Sequence, residues 1–121
     1  MSTRPAGQRG EELAADHLRA AGLRILDRNW RSGRLEIDIV ARDGDTVAFV
    51  EVKSRGPGPQ APAEALGRGQ RRRLRRAAEA WIHSHPGVGR EFRFDLVGIR
   101  LPEGGEPRID HRPDAWHGDG P

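Results

Sequence analysis

Residues 35–55, LEIDIVARDGDTVAFVEVKSR, decide how this chain folds. Apolar and polar residues alternate on both sides of Asp43-Gly44, and Asp-Gly between two alternating runs signals a β-hairpin. The spacing predicts strands over 35–42 and 45–53. With Asp43-Gly44 as a two-residue turn, Arg42 pairs with Asp45, Asp38 faces Phe49, and Glu36 faces Glu51. Opposed residues share a face of the sheet, as do residues two apart along a strand. Glu36, Asp38, Glu51 and Lys53 are therefore expected on one side, with Ile37, Ile39, Ala48, Val50 and Val52 on the other.

Such a face is costly, because directly opposed like charges destabilise a strand pair. Two or three converging carboxylates become favourable around a hard cation, and oxygen ligands suit magnesium or manganese. Lys53 adds to the pattern, being the single lysine in a chain whose other 20 of 21 basic side chains are arginine. An ammonium is a compact charge whose pKa falls on burial, so it can position or activate a water, whereas a guanidinium stays protonated and is broader. The plain structural alternative is that Lys53 only neutralises Glu51 and Glu36 at a strand end.

Outward from the hairpin, GQRGEELAADHLRAAG (residues 7–22) predicts a helix ended by Gly22, with Leu13, Ala14, His17, Leu18 and Ala21 on its apolar face. Glu11 borders that face and is placed to reach inward. A strand over about 23–30 follows. After the hairpin, GPGPQAPAEA breaks all periodicity and reads as a mobile loop. A second helix is expected from about 64 to 85, its apolar stripe formed by Gln70, Leu74, Ala77, Ala78, Trp81 and Ile82. A strand, EFRFDLVGI, comes next. Residues 101–121 form a Gly/Pro-rich tail in which Ile109 and Trp116 are candidate anchors and the last few residues are expected to be disordered. The length predicts a single domain with a core at about 7–100. The order αβββαβ predicts an α/β fold with a mixed central sheet between helices.

Composition excludes several chemistries. There is no cysteine, so disulfides, thiolate catalysis and Cys-based zinc sites are absent. No apolar run spans a membrane or resembles a signal peptide, which makes the cytoplasm the default location. His83 and His85 are two apart on a helix and point away from each other. His17 reads as packed, and His111 and His117 lie in the tail without a carboxylate or cysteine framework. No P-loop lysine and no nucleophile-elbow serine are present.

Charge is uneven. Residues 1–65 are neutral, whereas residues 66–90 carry seven arginines and one glutamate. Such a block attracts polyanions, of which nucleic acid is the commonest in a cytoplasm, and its bland counterpart is a solvated helix face. Arg68, Arg71, Arg72, Arg75 and Arg76 are the candidate backbone contacts.

The segments GQRGEELAADHLRAAGLRILDRNWR, LEIDIVARDGDTVAFVEVKSR, GQRRRLRRAAEAWI and FRFDLVGI together resemble the YraN family, small bacterial proteins held to be predicted endonucleases. That family is akin to archaeal Holliday-junction resolvases within the PD-(D/E)xK nuclease superfamily, so the resemblance implies a restriction-endonuclease-like fold. It implies that Asp38 and Glu51 are metal ligands, with the Val52 carbonyl a third. It makes Lys53 the catalytic lysine, Glu11 the first-helix glutamate completing the acidic site, Glu36 the acidic residue of the G-E-x-D stretch, and Gln70 the helix glutamine near the site. The chain departs from the pattern at Leu35, usually glycine, and at Gly69, usually lysine. The function implied is a magnesium- or manganese-dependent endonuclease acting on DNA, selective for shape rather than sequence, and dimeric as resolvases are. Its rivals are a non-catalytic nucleic-acid-binding protein on a nuclease-like scaffold and a protein-interaction module. Base stacking on single strands fits poorly with so few aromatics.

Overall fold

The hairpin forms, with its turn one residue later than expected. In the computed structural model, which describes residues 6–55, 67–101 and 104–116, β2 (Leu35–Asp43) and β3 (Thr46–Arg55) pair antiparallel from Asp43↔Thr46 to Ile39↔Val50. The turn is Gly44-Asp45, and Gly44 has a φ of 61°. Positive φ at the first central position suits glycine and matches the right-handed twist of the flanking strands. Moving the turn by one residue moves each opposed pair by two, so Asp38 does not face Phe49 and Glu36 does not face Glu51. A shift of two keeps side chains on their own faces. Alternation fails at one point: Ile37 packs with Val40 in one core cluster while Ile39 packs in the other. The break falls at Asp38.

Beyond Ile39↔Val50 the two strands part. β2 continues with β1 (Arg24–Ser32), paired through Trp30↔Ile37 and Arg31↔Glu36. β3 continues with β4 (Glu91–Arg100), parallel to it as far as Arg55↔Arg100. The sheet thus forks into a β1–β2 wing and a β3–β4 wing.

α1 (Ala6–Ala20) and α2 (Arg68–Ser84) flank the sheet. Ala14, Ala15 and Leu18 of α1 pack with Ile39, Ala41, Ala48, Val50, Val97 and Ile99. Leu74, Ala77, Ala78 and Trp81 of α2 pack with Ile37, Val40, Val47, Phe49, Phe94 and Leu96. The α2 stripe is as expected, whereas on α1 Ala15 is buried and Ala21 is exposed. α1 ends as predicted: Gly22 has a φ of 97°. The Leu23 N–H bonds to the Leu18 carbonyl and the Gly22 N–H to the Arg19 carbonyl, each at 3.0 Å. Because β3 and β4 are parallel, α2 must carry the chain back along the sheet, so its arginine-rich first half starts at the end where β3 finishes.

The tail differs from expectation. Residues 108–116 are a fifth strand, β5 (Arg108–Trp116), antiparallel to β4 and completing a mixed sheet in the order β1-β2-β3-β4-β5. Ile109 packs against the α1-side core. The loop expected at GPGPQAPAEA, the helix residues expected at 64–66 and the last few residues lie outside the described residues. Both sheet edges are irregular. β1 carries a bulge at Ile25/Asp27 and a left-handed Asn29 (φ 51°), and β5 carries Pro113 and a left-handed Asp114 (φ 52°). No helix among the described residues is long and apolar enough to cross a membrane.

Gly10 lets α1 lie close on the sheet. A Cβ added there would run into the Ser54 hydroxyl, with the Ser54 Cβ 3.1 Å away. The Ser54 Oγ is itself buried without a hydrogen-bond partner. Gly10→Ala should therefore destabilise the fold by about 1–3 kcal/mol through overpacking. Ser54→Ala alone should be neutral or mildly stabilising, and the double variant should recover most of the loss. Denaturant midpoints of the four proteins check this.

Candidate functional site

The fork leaves backbone groups of β2 and β3 without their ladder partners. Asp38 answers this with its side chain: the Val52 N–H donates to Asp38 Oδ2 at 2.8 Å. One β2 carboxylate is thereby drawn across to β3, beside Glu51. The sequence groups Asp38 with Glu51 although its opposed pairs are wrong, but the break at Asp38 puts Glu36, expected on the face of Glu51 and Lys53, on the α1 face beside Arg31.

Burial disfavours charge on both carboxyls, and the Asp38 charge disfavours it further on Glu51. The Glu51 carboxyl is pushed up to about 7, first by desolvation and then by the Asp38 charge, with Lys53 acting in the opposite direction. Asp38 is also raised, again chiefly by burial and further by Glu36, against the Val52 amide and Lys53. The contact between the two side chains favours the protonated form of Glu51 and the charged form of Asp38. Lys53 Nζ stands 3.7 Å from Glu51 Oε1, the two side chains 22% and 23% exposed. That is buried enough for the charges to matter and open enough to meet a ligand.

Glu11 reaches inward from α1. Desolvation and the Asp38 charge raise its carboxyl, while the Asn29 side chain, hydrogen-bonded to it, and Arg28 act against the rise. Glu36 is at the margin of the cluster: it is 51% exposed and paired with Arg31, Nε to Oε2, at 3.1 Å. Val52 enters through its N–H. Gln70 is occupied at the start of α2, where its Oε1 accepts the Gly67 N–H at 3.3 Å. On α2, Arg68, Arg72 and Arg76 are exposed and spaced four apart, one ridge on the helix, with Arg71 and Arg75 half-buried beside it.

Among the described residues no three acidic or imidazole groups are gathered closely enough to hold a cation unaided. The donor set still fits magnesium or manganese, which use one or two carboxylates and complete their shell with waters and substrate phosphates. The shallow cleft lined by Thr46, Glu91, Phe92, Arg93 and Asp114 lies at the other end of β3 and takes no part.

A second polar cluster was not foreseen. Asp95 is fully buried on β4, and His111, expected to lack a carboxylate partner, donates from Nε2 to its Oδ2 at 2.9 Å. Arg93 adds a fork of two bonds at 3.0 and 3.2 Å, and the Asp114 N–H adds another at 2.9 Å. His17 packs edge-on against His111, as its packed reading implied. His111, Arg93 and the Asp114 amide hold the Asp95 carboxyl below its usual range despite burial. The cluster ties β5 to β4. The signal for it in the sequence is the lone aspartate within FRFDLVGI. Asp95→Ala should cost about 3–5 kcal/mol, since it leaves Arg93 and His111 facing an emptied site, and urea unfolding measures this.

The pattern of the uncharacterised protein family UPF0102 matches residues 10–99. The chain belongs to this family. A UPF0102 protein of Anaeromyxobacter dehalogenans is 47% identical over 115 residues, covering 94% of this chain and 85% of that one. One of Streptomyces coelicolor is 49% identical over 115 residues, 92% and 88% of the two chains. One of Nocardia farcinica is 48% identical over 106 residues, 87% and 84%. The UPF0102 match takes in Glu11, the fork and α2, and stops before β5.

Glu51 makes stability depend on pH with a definite sign. Its folded pKa, about 7, lies above the ordinary 4.5. Its contribution is therefore fully present below pH 4.5, declines as pH rises toward 7, and is level above that. Each unit is worth about 1.4 kcal/mol, so the decline amounts to a few kcal/mol. Glu51→Gln should flatten most of it, read from unfolding midpoints between pH 4.5 and 8.

Proposed function

We propose that this UPF0102 protein is a metal-dependent DNA endonuclease hydrolysing phosphodiester bonds, with preference for DNA shape over sequence. The observation that carries the reading is the pair Asp38 and Glu51, drawn together in the fork with Lys53 beside them. Two half-buried carboxyls, one of them pushed up to about 7, are a poor structural choice and a good cation site. Asp38 and Glu51 would hold magnesium or manganese, with the Val52 carbonyl and Glu11 as further oxygen donors and Glu36 at the rim. When bound, the cation neutralises phosphoryl oxygens and makes an attacking water more acidic.

The chain's own residues supply the rest. Because the Glu51 carboxyl is pushed up to about 7, it would have to give up its proton to hold a cation, so occupancy would rise with pH. Lys53, steadied by Glu51, presents a compact N–H donor that orients the attacking water and meets charge developing on the phosphate. The α2 ridge of Arg68, Arg72 and Arg76, flanked by Arg71 and Arg75, grips the backbone without reading bases. Gln70 acts at one remove by capping the helix that carries the arginines.

The rival reading is a non-catalytic nucleic-acid-binding scaffold. Specific bonds favour it: Asp38 is already used by Val52, Glu36 by Arg31, and Gln70 by Gly67. One experiment separates the two. Labelled duplex, flap and four-way-junction DNA are incubated with wild type and Lys53→Ala in magnesium, manganese or EDTA. The nuclease requires metal-dependent cleavage that drops roughly 10²-fold or more in Lys53→Ala. Undiminished binding with no cleavage by either protein would replace it with the scaffold.

A further inference from the structure

The α2 arginines occupy one face of the sheet, and a second basic element borders the fork on the other. Trp30 and Ile37, paired across the β1–β2 wing, both pack in the cluster beneath α2. Arg31, the next residue, therefore points to the α1 side. Arg28 pairs with Ile39, which packs beneath α1, so Arg28 points to that side as well. Residues three apart in a regular strand point opposite ways. Here they do not, because the left-handed Asn29 (φ 51°) stands between them. The two guanidiniums thus lie on one exposed face next to the acidic cluster, Arg28 near enough to Glu11 to act on its charge.

The state of Arg31 suggests what this face receives. Its side chain is 74% exposed and its Nε holds the carboxylate of Glu36 at 3.1 Å. A carboxylate on an arginine in the open contributes little to stability. Its chemistry, an oxyanion on a planar donor fork, is that of a phosphate contact. The geometry points to Arg28 and Arg31 as a second backbone-phosphate clamp, in which Glu36 stands in for the phosphate while no polyanion is bound. DNA would then be held from both sides of the sheet, by α2 on one and the β1–β2 wing on the other, with the fork between. The clamp rests on the nucleic-acid part of the function proposed above and is independent of catalysis.

The test is binding of a labelled DNA duplex in EDTA, followed from 50 to 200 mM salt. Neutralising one phosphate contributes about 0.9 to the slope of log affinity against log salt. Arg28→Ala/Arg31→Ala should lower the slope by nearly two and weaken binding at least tenfold at about 0.1 M salt. Arg28→Lys/Arg31→Lys should restore the slope, since it keeps the charge. Glu36→Gln should bind several-fold tighter than wild type, having lost the internal competitor. A double alanine variant with an unchanged slope overturns the clamp, as does a lysine pair that fails to restore it, which would make the arginines structural. Wild type that cleaves DNA while the slope is unmoved by the alanine pair sinks the clamp and leaves the nuclease standing. A lowered slope in a protein that never cleaves does the reverse.

Discussion

The hydrogen bond from the Val52 amide to Asp38 is the constraint on which the site depends. Where β2 leaves β3, a strand amide loses its carbonyl partner, and a buried unpaired N–H is expensive. A carboxylate from the departing strand supplies the acceptor, but only by entering a half-buried region where its charge is poorly solvated. Everything else about the cluster follows. Burial and the Asp38 charge make Glu51 reluctant to ionise, and Lys53 partly offsets this. The fork both creates the need for an acceptor and opens the space in which the acceptor has chemistry to do.

The layers around the fork are arranged to hold it open in a fixed shape. Gly10 removes the one side-chain carbon that would keep α1 off β3, and the helix then presents Glu11 to the cluster from the side. On the far edge of the α1 face, Asp95 locks β5 against β4 through His111, Arg93 and the Asp114 amide. This gives the β3–β4 wing a rigid backing. The β1–β2 wing is tied to α2 instead, Trp81 Nε1–H donating to Asp27 Oδ2 at 2.7 Å, and the left-handed Asn29 helps decide which way its charged side chains point.

Much of this was legible in the amino-acid order, for identifiable reasons. Period-two alternation in LEIDIVARDGDTVAFVEVKSR located the hairpin, and period 3.6 located the α2 stripe, because burial on one face enforces both. The placing of Glu51 and Lys53 on one face survived a misplaced turn, since an even shift keeps parity along β3, and Asp38 joins them through its bond to the Val52 amide. The turn itself was misread because Asp43-Gly44 and Gly44-Asp45 are both good turn pairs, and only tertiary pairing chooses between them. Glu36 acts on the charges of Asp38 and Glu11 from the rim, but its pairing with Arg31 depends on the β1–β2 register, which strand periodicity alone does not fix. β5 was hidden by its Gly/Pro-rich surroundings, and its partner Asp95 is distant in sequence. Gln70 was read correctly as the polar residue of the stripe, yet its bond to Gly67 depends on where the helix begins.

The kinks at both margins of the sheet bear on how copies of this chain can meet. Left-handed residues at Asn29 and Asp114, a bulge on one edge and Pro113 on the other leave neither margin with a straight ladder of donors and acceptors. Continuous sheets built across two molecules, and the fibrous stacking that grows from them, are therefore disfavoured from either end. Any symmetric pairing has to be made by side chains on helix or sheet faces. Such contacts can be retuned by surface substitution without disturbing the strands that carry the fork.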